Sequence, residues 1–303
     1  MNILKVNELM TVRQHGAMDY TTPPCDLDEV RRYRLARIQE ELVRQDLAGI
    51  ILYDQLNTRY ATDGTNMQIW CAHNEARYVY VPAESGAIVF EYGGKSLLSD
   101  GLPGIERVAK PITFFYMVAG QHVAERAKTW AVEMDAIIRE HSGGNQRIAI
   151  DRLAPVGVQM MEELGYEVHD GFTVMEKARE IKSDGEIALM RTSIEVCERA
   201  VQQMQEVLKP GITENALWAE LHHGNIAGGG EWIETRLLSS GPRTNPWFRE
   251  CSMRPIEKGD MVSFDTDLIG PYGYCCDMSR SWICDAEPDD EQRRLYAAAY
   301  EQI

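Results

Sequence analysis

The sequence predicts an α/β protein with two domains. Three observations carry this: short apolar runs alternate with helical periodicity between residues 26 and 170; a capping-box pattern, Ser183-Asp184-Gly185-Glu186, opens a long amphipathic stretch; and Met261–Trp282 alternates polar with apolar residues while carrying three aspartates. Strands alternating with helices indicate an α/β domain. At 303 residues the chain is long enough to bury two ordinary cores.

Residues 1–25 are polar, contain Pro23-Pro24 and read as an arm. A helix follows from Asp26, because Leu27, Val30, Leu35, Ile38 and Leu42 recur at helical steps and Asp28 and Glu29 suit its positive end. Ile50–Tyr53 reads as a buried strand, and Arg77–Val81 and Ala87–Tyr92 as two more. The connection ATDGTNMQIWCAHN reads as a loop. Its Asp63, Asn66, Gln68, Trp70, His73 and Asn74 either line a cleft or serve as turn-formers and satisfied core groups, and His73 receives no metal role.

A helix over Val123–His141 stops at Gly143-Gly144; a strand at Arg147–Asp151, a helix at Pro155–Leu164 and a strand at Tyr166–His169 complete the first domain, 26–175. The second domain, 176–303, opens with the capping-box helix, whose Ile187, Met190, Ile194, Cys197 and Val201 share one face. Thr213 caps the next helix, which runs to Gly228–Gly230 with His222 and His223 near its end. A protonated histidine is favourable at a helix C-terminus, so both are read as structural. Glu231–Leu238 reads as a strand, Ser239–Pro246 as a turn region, and a final helix starts near Asp289.

The net charge of −16 disfavours nucleic acid and anionic membrane surfaces as partners, since Lys and Arg supply that attraction. Seven cysteines without C-x-x-C spacing suit reduced thiols in a cytoplasm. No apolar run approaches a membrane span, and the N-terminus lacks the apolar core of a secretory signal.

Within Met261–Trp282, Val262, Phe264 and Leu268 alternate with Ser263, Asp265 and Asp267, and Asp277, Ser279 and Ser281 share one parity. If Asp267 lies opposite Asp277 with a loop inside Gly270–Tyr274, Asp265, Asp267 and Asp277 share one face. The same alternation describes a half-solvated antiparallel hairpin. Three adjacent carboxylates repel unless protons or a cation compensate them, and a cation is the simpler answer.

Several short patterns carry a resemblance. Arg179–Ser183 with Glu186-Ile187, Lys209–Glu214, Ser240-Gly241-Pro242, Gly259-Asp260, Asp265 and Asp277–Arg280 resemble the pita-bread superfamily of creatinase, prolidase and methionine aminopeptidase. Within it, Arg59–Asp63, Thr65–Gln68, Gly229–Arg236, Ser240–Phe248 and Ser263–Gly270 resemble the dimethylsulfoniopropionate lyases. The resemblance implies a creatinase-type N-terminal α/β domain followed by the first part of a pita-bread (α+β) metallohydrolase domain. It also implies a homodimer, and a centre of divalent or trivalent transition metal ions, dinuclear, in which Asp265 and Asp277 are ligands and Asp267 is the lyase's additional aspartate. Where peptidases carry a substrate-binding histidine, Pro246-Trp247-Phe248 stand instead.

The implied reaction cleaves a small zwitterionic sulfonium carboxylate to dimethyl sulfide and acrylate by removing a proton beside the carboxylate. Trp70, Trp232 and Trp247 are candidates for holding the sulfonium against aromatic faces, or else are packing anchors. The resemblance places the catalytic aspartate, a histidine and two glutamate ligands beyond Ile303, so the chain is expected to be a fragment, incomplete and inactive alone. The alternatives are an Xaa-Pro peptidase, a creatinase-like metallohydrolase and a non-catalytic remnant.

Overall fold

The structure is a computed structural model describing residues 22–94 and 96–302; the expected N-terminal arm falls largely on residues 1–21, outside that description. The described chain forms two compact units, one of residues 26–186 and one of residues 187–302 together with 22–25.

In the first unit the helix predicted from Asp26 is α1 (Leu27–Arg44), and Asp26 caps it by accepting the backbone N–H groups of Asp28 and Glu29. The elements that follow are β1 (Gly49–Leu52), α2 (Gln55–Thr62), α3 (Gln68–His73), β2 (Tyr78–Pro82), β3 (Ala87–Phe90), β4 (Ile105–Ala109), α4 (Tyr116–Ala119), α5 (Val123–His141), β5 (Arg147–Ile150), α6 (Pro155–Glu163), β6 (Glu167–Asp170) and α7 (Gly171–Glu180). The strands form one mixed sheet in the order β4-β3-β2-β1-β5-β6. Its side chains alternate between two cores: Ile51, Tyr78, Tyr80, Ile88 and Phe90 join Trp130 and Met134 of α5, whereas Ile50, Leu52, Val79, Val81 and Val89 join Leu35, Ile38 and Leu42 of α1. Helices therefore cover both faces, which is why these strands read as continuous apolar runs.

The structure differs from the sequence reading in two places here. The polar stretch expected to be a loop, ATDGTNMQIWCAHN, contains α3 and the last two residues of α2, and the rest of α2 lies in a segment to which the sequence assigns no helix. Asp54 caps α2 by accepting the N–H groups of Leu56 and Asn57 (3.0 and 3.1 Å), and Asn57 turns inward to donate to Asp151 Oδ2 at 2.9 Å. Inward polar groups hid the helical period. Second, the unit continues past residue 175, because Val174, Met175 and Ala178 of α7 share a core with α1.

The second unit contains α8 (Asp184–Val207), α9 (Glu214–Ala227), β7 (Trp232–Ile233), β8 (Leu238–Ser240), β9 (Met261–Asp265), β10 (Leu268–Ile269), β11 (Cys275–Cys276), β12 (Ser279–Ile283) and α10 (Asp290–Gln302). The predicted capping box opens α8: Glu186 N donates to Ser183 Oγ at 3.2 Å and Ser183 N to Glu186 Oε2 at 3.0 Å. Gly224 lets α9 approach α8, since a Cβ there would lie 2.5 Å from that of Ala200. Two three-stranded sheets, β11-β10-β7 and β12-β9-β8, pack Val262, Phe264 and Leu268 against Val201, Met204, Leu217 and Leu221 of the helices. No helix among the described residues is long and apolar enough to cross a membrane.

One buried carboxylate ties this unit's loops together. Glu214, fully buried at the start of α9, accepts Ser240 N (2.8 Å), Ser240 Oγ (2.7 Å), Ser252 N (3.0 Å) and Ser252 Oγ (2.6 Å), and it pairs with Arg243. Burial opposes its ionisation, but the bonds from Ser252, Ser240 and Arg243 outweigh that and hold its pKa below 4.5. Because the folded-state pKa is depressed, this stabilisation is present above pH 4.5 and is lost as pH falls through the folded value. Glu214→Gln is expected to cost about 2–3 kcal/mol, below the usual range for a broken buried pair because Arg243 keeps partial solvent contact; urea unfolding should show this loss and a weaker acid dependence.

Candidate metal centre

The aspartate stretch forms the predicted antiparallel pairing, but in two pieces. Ser279 pairs with Asp265 through Ile283 with Met261 in β12/β9, and Leu268 pairs with Cys276 and Ile269 with Cys275 in β10/β11. Both ladders share one register, which sets Asp267 opposite Asp277 with the turn inside Gly270–Tyr274, as expected. The expected continuous strands are instead broken at Thr266-Asp267 and Asp277-Met278.

The break has a local cause. The buried Thr266 hydroxyl accepts Met278 N at 2.8 Å and donates to Cys276 O at 3.2 Å, replacing strand backbone with a side chain. Asp267 then adopts a left-handed backbone with φ 39°, a region that aspartate tolerates better than branched residues.

The other neighbour of these strands is broken as well. Glu231–Leu238, predicted as one strand, splits into β7, pairing with β10, and β8, pairing with β9. Between Ile233↔Leu268 and Leu238↔Phe264 the 234–237 segment holds one residue more than 265–267, a bulge closed by Glu234 N→Asp267 O and Asp265 N→Leu237 O, both 2.9 Å. Bulges of this kind re-aim side chains. Here Thr235 Oγ1 is turned to donate to Asp267 Oδ2 at 2.8 Å.

The result is that Asp265, Asp267 and Asp277 each offer a carboxylate oxygen within 4.8 Å of the others. Asp265 and Asp267 are half-buried and Asp277 is exposed. Asp277 hydrogen-bonds Asp265, which with partial burial and the neighbouring charges of Asp265 and Asp267 pushes the Asp277 pKa up to about 6. Ser279 Oγ donates to Asp265 Oδ1 at 2.9 Å. Two oxygens on one hard cation lie at most about 4–5 Å apart, so the three donors fit one such ion. A proton shared between carboxyls substitutes for that positive charge.

The remaining sequence candidates have other surroundings. Trp70 lies on α3 of the first unit, 5.0 Å from the Tyr92 ring and 6.3 Å from that of Phe115. In the second unit Trp232 sits on β7 and donates Nε1–H to Glu234 Oε1 at 2.8 Å, and Trp247 neighbours the exposed Phe248 ring at 6.2 Å. Asp63 ends α2 with φ 56° and pairs with Arg31 at 2.7 Å, which is structural work. His222 does not carry the expected extra proton affinity: desolvation, then the charge of Arg236, lower its pKa. Sequence reasoning missed Thr235 and Thr266. Neither carries a local signal, because their roles exist only through the register slip and the ladder break.

Residues 188–303 match metallopeptidase family M24. The chain is 41% identical over 284 residues to dimethylsulfoniopropionate lyase DddP of Roseovarius nubinhibens, covering 92% of this chain and 64% of that protein. It is also 41% identical over 269 residues to the protein of the same name from Roseobacter denitrificans, covering 87% of this chain and 60% of that one. The chain thus spans under two thirds of the length of either relative. Its fold is similar to the Xaa-Pro dipeptidase of Bacillus anthracis (TM-score 0.68, 20% identity, 89% of this chain and 70% of that one) and to the prolidase of Pyrococcus horikoshii OT3 (TM-score 0.67, 19% identity, 88% and 69%). With a prolidase-like fold in place and three carboxylates gathered beside its strands, the stretch from residue 188 to residue 303 is thus similar to metallopeptidase family M24.

Proposed function

We propose that this chain is the N-terminal part of a metal-dependent lyase acting on dimethylsulfoniopropionate. The observation that carries the reading is the extra aspartate: Asp267 joins Asp265 and Asp277 in one cluster, on a chain 41% identical to two lyases of that name. The cluster is built of oxygen donors only, which suits a hard or borderline divalent cation.

In this reading Asp265, Asp267 and Asp277 hold the cation. When bound, the cation supplies positive charge that attracts the carboxylate end of the zwitterion. The protein's own contribution is to fix three like charges on strands whose opposite face is locked in the core, so that the ion meets a preformed donor set. Trp232 and Trp247 offer aromatic faces to the sulfonium, a polarisable cation attracted to ring quadrupoles. The proposal includes a homodimer and further ligands beyond the residues present.

A second reading, Xaa-Pro peptidase, is favoured by the prolidase-like fold alone, at 20% identity or less to the two solved structures above. Pro246-Trp247-Phe248, standing where the resemblance puts a peptidase histidine, argues against it.

The full gene product incubated with dimethylsulfoniopropionate should release dimethyl sulfide, read by headspace gas chromatography, and chelator should abolish the signal. Asp267→Asn, which keeps the backbone tolerance and removes the charge, should lower that rate by at least about tenfold. Proline release from Xaa-Pro peptides without dimethyl sulfide would select the peptidase instead.

The raised pKa of Asp277 also fixes a pH response for the metal-free chain. A carboxyl whose folded pKa is raised from 3.8 to about 6 binds its proton more tightly when folded. Its contribution is therefore full below pH 3.8 and is lost as pH rises towards 6. In chelator at pH 7.5, Asp277→Asn should raise the melting temperature by a few degrees at most, since the group is exposed. Adding divalent metal should stabilise the unsubstituted chain and not the variant.

A further inference from the structure

We infer that Thr235 is a positioning residue of the aspartate centre, selecting which oxygen of Asp267 is presented to a cation, and that the bulge at 234–237 exists in order to deliver its hydroxyl. The inference rests on the metal reading above and adds a residue to it.

Asp267 has two carboxylate oxygens and a left-handed backbone that leaves its side chain without the support of a regular strand. Thr235 Oγ1 donates to Oδ2 at 2.8 Å in a half-buried setting, so Oδ2 is engaged and Oδ1 is the oxygen left for a shared ion. The backbone of the same segment closes on the same residue, because Glu234 N donates to Asp267 O at 2.9 Å. Residue 267 is thus gripped twice by 234–235, once through its carbonyl and once through its carboxylate. Without the additional residue in 234–237, β7 and β8 would run on in one register and the parity of Thr235 would change.

A second hydroxyl does related work more weakly. Ser279 Oγ donates to Asp265 Oδ1 at 2.9 Å, but in an exposed setting where water competes. The sheet itself supplies a control. One row away, Ser263 Oγ and Ser281 Oγ bond to each other at 2.9 Å, also exposed, and the Ser281 hydroxyl is bonded within that pair rather than to a carboxylate. A hydroxyl that merely stiffens β9 and β12 is represented by Ser281; one that aims a ligand is represented by Thr235.

The test is Mn2+ affinity of the chain, read by loss of the free-ion electron paramagnetic resonance signal, with circular dichroism to confirm folding. Thr235→Val keeps the β-branched shape and removes the hydroxyl; it should weaken Mn2+ binding about 10–100-fold, the usual effect of deleting a hydrogen bond behind a metal ligand. Thr235→Ser should restore binding to within a few-fold, Ser279→Ala should lose less than Thr235→Val, and Ser281→Ala should bind as the unsubstituted chain does. If the unsubstituted chain binds Mn2+ but Thr235→Val binds it equally well, the positioning role is overturned. It is overturned too if Ser281→Ala loses as much as Thr235→Val, for then the hydroxyls act through the sheet. If the unsubstituted chain takes up no Mn2+, the aspartate reading itself fails, a result separate from either.

Discussion

Mutual repulsion among Asp265, Asp267 and Asp277 is the constraint around which the second unit is arranged. Carboxylates within a few ångströms of one another drive their strands apart unless something holds the backbone from behind. That hold is apolar: Val262, Phe264 and Leu268 leave the same strands in the opposite direction and are fully buried against α8 and α9. Alternation with a period of two is what allows one strand to serve both purposes. The hydrophobic face anchors the strand, and the polar face is left to concentrate charge that no isolated hairpin would keep.

The two units treat a buried carboxylate in opposite ways. Glu214 gathers two serine hydroxyls, two backbone N–H groups and Arg243, and stays ionised. Asp151 in the first unit also accepts backbone N–H groups, from Tyr53 and Asp54, and the Asn57 amide, yet burial prevails and lifts its pKa to about 6. Counting hydrogen bonds does not separate the cases. The kind of partner does: the Ser252 and Ser240 hydroxyls and the Arg243 guanidinium act on Glu214, whereas at Asp151 the neighbouring Asp54 charge adds to burial.

Much of this arrangement is legible in the sequence. The helix from Asp26, the caps at Thr213 and the Ser183/Glu186 box, the helix over Val123–His141 and the pairing of Asp267 with Asp277 follow from local chemistry and period. What escapes is what depends on two segments at once. Asn57 and Thr58 face inward because Asp151 and Arg77 need partners there, so α2 shows no apolar stripe. The split of Glu231–Leu238 depends on a count of residues in 265–267, and Thr266 looks like any strand threonine until its hydroxyl is found inside the ladder. The aspartates themselves were visible; their supports were not.

The register slip beside the aspartates also separates the site into parts with different tolerance to insertions and deletions. On the β11–β12 side the aspartates depend on one unbroken register, so a one-residue slip of the β10/β11 pairing would turn Asp277 to the wrong face. On the 234–237 side the surplus residue is already absorbed in a bulge, and a change in length there would re-aim Thr235 while leaving the spacing of the three carboxylates intact. A change in the length of the 234–237 segment therefore alters how the acidic cluster is presented without first dismantling the cluster.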